Sequence, residues 1–286
     1  MNVLILGCNE HQIPYITELK KLDYTVIGTD INGNAAGIDQ CHHFYNYGYT
    51  DIENLIKVCD EHLPVKVFTA SCQHACLTVA ILSEHLGIDY MPKESIEICL
   101  DKVKYYKYFK EHGVPIPDTT TIFNQEHLDQ TLNRSPVQTW YLKSDYSKNP
   151  NYIYRFNSVD DITINWKQDQ YFRQFYTLQP EFIGEHYRIN IFYDQWNAYN
   201  FDVNDKSIPP KELLEELGVI PTLKYLTSSL GLTKYIVNFD VIVTEDSYVV
   251  LDIGLDRPYR MLLDIGEPFY KQYIYHYIHG VINYGS

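Results

Sequence analysis

Long apolar runs and an excess of positive charge are both missing from this 286-residue sequence. A membrane-spanning helix needs about 20 consecutive apolar residues, and no stretch of the chain comes near that length. The formal net charge is −14, so the surface as a whole repels phosphate. Nucleic acid or an anionic membrane is therefore disfavoured as the main partner. A small anionic ligand stays open, provided that local cations form a pocket for it.

The chain has six cysteines, but they do not have the spacing of a disulfide scaffold. This spacing indicates a reducing compartment. The chain enters a strand-like run at Val3–Leu6 without a basic leader, so we expect a cytoplasmic protein rather than a secreted one. Cys72, His74 and Cys76 lie close together in sequence. No second ligand pair follows them at zinc-site spacing, so a metal role is the weaker interpretation.

The first third of the chain alternates short apolar runs with segments of helical period, which predicts an α/β fold with a parallel sheet. The predicted strands are Val3–Leu6, Thr25–Thr29, Val65–Phe68 and Asp89–Met91. The turn after the first strand has Gly7 but lacks the second and third glycines of a dinucleotide-binding loop. Glu10 would also lie where a pyrophosphate should bind. A nicotinamide-dependent oxidoreductase is therefore disfavoured. Asp30 is either a ribose ligand or an ordinary polar residue at a strand end.

The middle of the chain begins with a helix from Asp101 that ends at Gly113, because Pro115 and Pro117 follow at once. The second residue of this segment, Lys102, is one of several lysines. It therefore belongs either to a phosphate site or to a solvated basic face. Downstream, an aromatic and aliphatic strand ends at Lys143, and the segment QPEFIGEHY leads from residue 179 into another strand.

Two alternating strands joined by the turn at 245–247 predict a hairpin near the end of the chain. Asp240 and Asp252 lie on its two strands and are expected to face each other. Paired carboxylates are the hard oxygen ligands that suit Mg²⁺. The alternative is a pair of hairpin carboxylates that face water.

These segments, taken in order, resemble the ATP-grasp superfamily, with its patterns "DK, helix, GIPxP", "VVKP", "QEFIxGxEY" and "nfDxi … vlEiNpR". The first third resembles the domain that precedes the ATP-grasp unit in carboxylate–amine ligases. The resemblance implies a Rossmann-like domain over residues 1–93 and an ATP-grasp domain over 94–286. The latter has a small lid lobe at about 118–180 and a C-terminal lobe at about 181–286.

The resemblance also implies roles for particular residues. Lys102 and Lys143 would contact the phosphates of ATP, and the backbone of the hinge would hold adenine. Asp240 and Asp252 would bind Mg²⁺. The implied hinge residues are Glu181, Phe182 and Ile183, and the implied ribose ligand is Glu185.

The sequence departs from the family pattern in two places. The loop 144–152 has no glycine, although the family's loop over the phosphates is rich in it. Gly254 stands where the family has a metal-binding asparagine, and Asp256 is the candidate for the missing oxygen. Arg257 and Arg260 are then candidates to stabilise the transferring phosphoryl group.

The expected function is ATP-dependent ligation of a small carboxylate to an amine through an acyl-phosphate. ATP and Mg²⁺ are the expected cofactors, and homodimers are common among the relatives. The two departures support an alternative, a non-catalytic nucleotide-binding or assembly module with the same fold.

Overall fold

A computed structural model describes residues 1–70, 72–133, 139–144, 153–158, 160, 175–193, 195–202, 210–255 and 273–278. The chain divides into two compact units. The first contains the described residues of 1–96, 230–238 and 254–286, and the second contains those of 97–229 and 239–253. The lobe boundaries inferred from the sequence stay a prediction.

The first unit contains a parallel sheet of four strands in the order β3-β2-β1-β4. Its strands are β1 (Asn2–Leu6), β2 (Thr25–Thr29), β3 (His43–Tyr45) and β4 (Lys66–Phe68). The helices that alternate with and follow these strands are α1 (Ile13–Lys21), α2 (Ile52–His62), α3 (Ala75–Leu86) and α4 (Lys93–Leu100). Parallel pairing requires crossover connections, and α1, α2 and the chain before β3 provide them. The α/β class expected from the sequence is confirmed.

The core of this unit forms because apolar side chains of the strands meet the apolar stripes of α2 and α3. Leu4, Ile27 and Val67 are buried against Leu55 and Val79. Complete burial of such a side chain contributes roughly 1.5–3 kcal/mol before the entropy cost of ordering is subtracted. The continuous apolar runs of the sequence therefore mark strands that are covered by other elements, as the pattern indicated.

The expected strand at Asp89–Met91 was wrong, because these residues are irregular. The fourth strand of the sheet is β3 instead, at the opposite edge from β4. Pro92 follows directly and has no backbone N–H for a sheet ladder. Tyr90 instead packs its ring edge-on against Tyr235, with a centroid distance of 5.5 Å.

Asp30, for which the sequence allowed either a ribose ligand or a polar residue at a strand end, has a structural role. Its Oδ2 accepts a hydrogen bond from the backbone N–H of Cys8 at 2.7 Å, and its Oδ1 accepts one from Asn32 at 2.8 Å. Both oxygens thus fasten the loops that follow β1 and β2. Glu10, the residue expected to oppose a pyrophosphate, begins a short 3₁₀ turn and is exposed.

The second unit contains a small antiparallel sheet in the order β5-β8-β6-β7. Before it lies α5 (Lys102–Glu111), which Asp101 caps by accepting from the N–H groups of Val103 and Lys104. Gly113 has a φ of +68° and ends the helix as expected. The elements of the small sheet are β5 (Thr120–Ile122), α6 (Gln125–Leu132), β6 (Trp140–Ser144), β7 (Ile153–Phe156) and β8 (Tyr176–Pro180).

A second four-stranded sheet follows in the order β10-β9-β11-β12. Its strands are β9 (Glu185–Phe192), β10 (Gln195–Asn200), β11 (Val237–Val243) and β12 (Tyr248–Leu255), with α7 (Lys211–Glu216) and α8 (Val219–Ser229) between β10 and β11. The strands β11 and β12 are neighbours joined by a short turn, which confirms the predicted hairpin. Near the end of the chain, residues 273–278 are helical.

Among the described residues, no helix has both the length and the apolar character needed to cross a membrane.

Candidate functional site

The first turn of α5 places Lys102 in a buried position. Asp101 caps the helix through two hydrogen bonds of 3.0 and 3.1 Å, so the direction of the first turn is fixed. Lys102 is 8% exposed, whereas Lys104 is exposed and pairs with Glu97 at 3.3 Å. Lysine is rarely buried without an anionic partner. The two lysines of this turn therefore have different environments, and only Lys102 has the environment of a ligand-binding residue.

Lys143 lies on β6 and is half-buried as a residue. Burial lowers the pKa of its ammonium group from 10.5 to about 8. The carboxylate of Asp252 opposes this shift, the charge of Lys102 adds to it, and the carboxylate of Asp240 also opposes it. Lys143 thus shares one electrostatic neighbourhood with a second ammonium group and two carboxylates, although these groups come from separate elements. The sequence predicted this association.

Asp252 lies on β12 and is held from α5. Its Oδ1 accepts a hydrogen bond from the hydroxyl of Tyr105 at 3.0 Å and another from the backbone N–H of Ile253 at 3.0 Å. The neighbouring Tyr106 donates instead to the backbone carbonyl of Leu251. One face of α5 therefore contacts the strand that carries this carboxylate.

Asp240 lies on β11 and forms a two-point ion pair with Arg188 of β9. Nε of Arg188 lies 2.8 Å from Oδ1, and Nη2 lies 3.0 Å from Oδ2. The guanidinium also lies over the ring of Phe201, 5.2 Å from its centroid. The side chain of Asp240 is 14% exposed and that of Arg188 is 37% exposed. This partner of Asp240 was not expected from the sequence.

His186 lies two residues before Arg188, and alternate residues of a strand share one face. Its ring stacks on Phe201 with a centroid distance of 3.9 Å. Burial lowers the pKa of His186, the carboxylate of Asp240 opposes this shift, and the charge of Arg188 adds to it. These effects together favour the neutral form of the ring. Its Nε2 is buried and has no hydrogen-bond partner in the described part of the chain.

The hinge segment follows β8. Glu181 is held through its side chain, because Arg155 donates to both carboxylate oxygens at 2.9 and 3.2 Å. This pairing lowers the pKa of Glu181. The backbone N–H of Glu181 donates to the carbonyl of Thr139 at 2.9 Å. Within the described residues, the peptide groups of Phe182 and Ile183 make no hydrogen bond, so they are available to a ligand.

Comparison with solved structures gives matches that cover at least 90% of this chain at low identity. N5-carboxyaminoimidazole synthetase from Staphylococcus aureus, solved with ADP, aligns over 90% of this chain and 70% of its own, with a TM-score of 0.73 and 11% identity. L-amino acid ligase from Bacillus licheniformis aligns over 97% and 74%, with a TM-score of 0.70 and 13% identity. The biotin carboxylase domain dimer of 2-oxoglutarate carboxylase from Hydrogenobacter thermophilus, solved with MgADP, ADP and bicarbonate, aligns over 100% and 71%, with a TM-score of 0.75 and 14% identity. The chain has the ATP-grasp fold.

At the level of sequence, no family model matches the chain, and no curated protein matches it. The ATP-grasp fold therefore rests on the comparison of backbones. The identities of 11–14% to these structures show the fold alone.

The site residues that were predicted from the sequence fall into three groups. Lys102, Lys143, Asp240 and Asp252 lie in one neighbourhood of the second unit. Glu185 is exposed at the start of β9, on the opposite strand face from His186, and Ile183 is 82% exposed. The expected Asp256, Arg257 and Arg260 lie outside the described residues.

Two residues that lie near Asp240 were not predicted from the sequence, His186 and Arg188. A local signal existed, because the polar residues His186, Arg188 and Asn190 alternate with Tyr187 and Ile189 along one strand. Alternation of this kind places the polar side chains on one face of the strand. It does not say which neighbouring strand that face meets.

Asp240 and Asp252 are the residues that would hold a magnesium ion bound together with nucleotide phosphates, and both oxygens of Asp240 already accept hydrogen bonds from Arg188. Among the described residues, no three histidine, cysteine, aspartate or glutamate side chains lie close enough to hold a metal by themselves, and this includes Cys72, His74 and Cys76. Mg²⁺ in nucleotide sites uses one or two carboxylates, with phosphates and water completing the shell. Asp240 and Asp252 supply that number of carboxylates.

Proposed function

We propose that this chain is an ATP-dependent ligase that joins a small carboxylate to an amine. The observation that supports it best is the environment of Lys143, whose buried ammonium group lies near a second ammonium, Lys102, and near two carboxylates. Two like charges at a buried position are costly unless an anion joins them. A triphosphate with a divalent cation satisfies both the ammonium groups and the carboxylates.

The nucleotide-binding residues have separate tasks in this proposal. Lys102 and Lys143 neutralise phosphate charge, and the open peptide groups of Phe182 and Ile183 hold adenine by its hydrogen-bonding edge. Glu185 is exposed at the start of β9 and stays the predicted ribose ligand.

Asp240 and Asp252 would hold Mg²⁺, which supplies charge stabilisation to the phosphate oxygens when it is bound. A ligand at Asp240 must share the carboxylate with Arg188 or displace its guanidinium, since both oxygens are engaged. One of the solved structures with this fold contains MgADP.

The proposed reaction has ATP as a substrate. An oxygen of the substrate carboxylate attacks the γ-phosphorus, ADP leaves, and an acyl-phosphate remains. The amine nitrogen then attacks the acyl carbon, loses a proton, and phosphate leaves. Catalysis of this kind depends on positioning and on fixed charge. Roles for Asp256, Arg257 and Arg260 stay predictions, as do a homodimer and a cytoplasmic location.

A second candidate function, nucleotide binding without ligation, is favoured by one observation. A side chain added at Gly254 would have its Cβ 3.3 Å from Oδ1 of Asn238 and 3.4 Å from Oε1 of Gln73. The first distance is slightly tighter than ordinary contact, so a larger side chain at this position requires a small shift of Asn238. A site that lacks the asparagine that the family carries at this position would bind nucleotide and yet transfer phosphate poorly.

The two candidates differ in turnover. Calorimetric titration with MgATP is expected to show binding in either case. An ADP-release screen over small acids and amines separates them, because only a ligase releases ADP in a manner that depends on both substrates. Lys143→Ala and Asp252→Ala should abolish that release while the circular dichroism spectrum is retained. Unchanged turnover in both variants would defeat the ligase assignment.

A further inference from the structure

The buried face of α5 carries four residues with helical spacing, and two of them reach the strand β12. Lys102, Tyr105, Tyr106 and Phe109 follow the pattern i, i+3, i+4 and i+7 and are all buried. Residues with this spacing lie on one side of a helix. The same helix face therefore presents an ammonium group in its first turn and two hydroxyl groups in its second.

Tyr105 is only 1% exposed, and its hydroxyl lies 3.0 Å from Oδ1 of Asp252. The second acceptor within reach, the carbonyl of Leu251, is more distant at 3.5 Å. Burial and the carboxylate of Asp252 both raise the pKa of Tyr105, so the phenol keeps its proton and stays a donor.

Two hydrogen bonds converge on the same oxygen of Asp252. Tyr105 donates to Oδ1 from the helix, and the N–H of Ile253 donates to Oδ1 from the strand, each at 3.0 Å. Donors that approach one oxygen from two directions fix the rotation of a carboxylate. A fixed carboxylate binds a cation without first losing rotational freedom.

We propose that Tyr105 is a positioning residue that sets the orientation of Asp252 for the divalent cation. The proposal rests on the proposed function, in which Asp252 is a metal ligand. Because Lys102 and Tyr105 lie on adjacent turns of one helix, α5 holds the phosphate-binding ammonium and the metal-binding carboxylate in a fixed relation.

Tyr106 offers a matched control. It is the next residue of the same helix and is 4% exposed, and its hydroxyl also donates to β12, but to the backbone carbonyl of Leu251. Phenylalanine at either position removes one buried hydroxyl that contacts β12, and the acceptor of Tyr106 on that strand is a backbone carbonyl rather than the carboxylate. Both changes are expected to reduce the free energy of unfolding by a similar amount, and only one of them touches the carboxylate.

The test compares the binding of ADP by calorimetry in Mg²⁺ and in EDTA for the wild-type chain, Tyr105→Phe and Tyr106→Phe. Loss of a group that orients a metal ligand commonly weakens metal affinity by roughly 10- to 100-fold. We expect Tyr105→Phe to weaken MgADP binding by about tenfold while ADP binding in EDTA stays unchanged. Tyr106→Phe should match the wild-type chain in both conditions.

Equal MgADP affinities for the two variants would overturn the proposal, as would a wild-type chain on which Mg²⁺ has no effect. The ligase assignment fails by a different result, in which the wild-type chain binds MgADP and yet no acid and amine pair releases ADP from ATP. The expected difference between Tyr105→Phe and Tyr106→Phe can still be observed in that case.

Discussion

Arg188 engages both carboxylate oxygens of Asp240, with Nε 2.8 Å from Oδ1 and Nη2 3.0 Å from Oδ2. The pair joins β9 to β11 in the sheet β10-β9-β11-β12. Asp240 is itself one of the residues that the sequence predicted as metal ligands. A guanidinium in this place balances the carboxylate when no other cation does. Asp240 therefore has a stabilising role of its own, apart from any role in metal binding.

Breaking this pair is expected to destabilise the second unit. Arg188→Gln leaves Asp240 mostly buried without its cation, and Asp240→Asn removes the anion from Arg188. Since the pair is only partly buried, each change should reduce the free energy of unfolding by about 1–2 kcal/mol, less than for a fully buried pair. Chemical denaturation of both single variants and the double variant measures the coupling. Strictly additive losses would show that the pair contributes nothing.

The two lysines of the first turn of α5 should differ in nucleotide binding. Lys102 is buried and Lys104 is exposed in a surface pair with Glu97. Loss of a charged hydrogen bond to phosphate costs roughly 1.5–3 kcal/mol, which corresponds to a tenfold or greater loss of affinity. We expect that loss for Lys102→Ala, and less than about a twofold change for Lys104→Ala. Similar losses in both would favour the solvated basic face that the sequence left open.

Lys143 should make nucleotide binding sensitive to pH. Burial lowers its pKa to about 8 in the folded chain, and a bound phosphate would raise it again. Below about pH 8 the ammonium is already charged, and above it binding must take up a proton, so affinity for MgATP should fall as pH rises. Calorimetry in buffers of different ionisation enthalpy would detect this uptake. Lys143→Arg, which stays charged, should lose the pH dependence if it still binds. A wild-type affinity that is flat across pH 8 would contradict this.

The same shift affects the stability of the chain without ligand. The folded pKa of Lys143, about 8, lies below the unfolded value of 10.5, so the unfolded chain binds more protons between these two values. The free energy of unfolding should therefore rise as the pH increases from about 8 to 10.5. Below about pH 8 it is reduced by the full cost of burying the charged ammonium group. Lys143→Met should stabilise the ligand-free chain at neutral pH by roughly 3 kcal/mol at most. A destabilised variant would show that the lysine is already well paired.

The side chain of Glu181 should be dispensable for nucleotide binding. It is held by Arg155 and Tyr141, and in the proposed function the peptide groups of the hinge bind adenine rather than this carboxylate. Glu181→Ala should leave the affinity for ATP within about twofold of the wild-type value. The substitution Ile183→Pro, which removes the backbone N–H of this residue, should weaken the affinity for ATP much more. A large loss in the alanine variant, measured by calorimetry, would assign the carboxylate a direct contact.

Much of the fold could be predicted from the sequence because its signals are local. Apolar runs mark β1, β2 and β4, and a capping aspartate and a terminal glycine bound α5. The strand predicted at Asp89–Met91 failed because a three-residue run carries too little pattern to outweigh a following proline and the packing of Tyr90. β3 was missed because His43–Tyr45 has neither alternation nor an apolar run.

The sequence could predict only those residues of the candidate site that are charged and lie within a recognisable motif. Lys102, Lys143, Asp240 and Asp252 were identified in that way and lie in one neighbourhood. The pairing of Arg188 with Asp240 depends on which strands become neighbours, since 52 residues separate the two. The contact of Tyr105 with Asp252 spans 147 residues and joins a helix to a strand, so no local pattern encodes it.

A crystal structure of the chain with Mg²⁺ and a non-hydrolysable ATP analogue tests the central claim most directly. The account predicts that the ammonium groups of Lys102 and Lys143 contact phosphate oxygens, with the metal ion bound by Asp252 and Asp240. A nucleotide bound elsewhere, or a triphosphate that contacts neither lysine and leaves Asp252 without a metal ion, would contradict it.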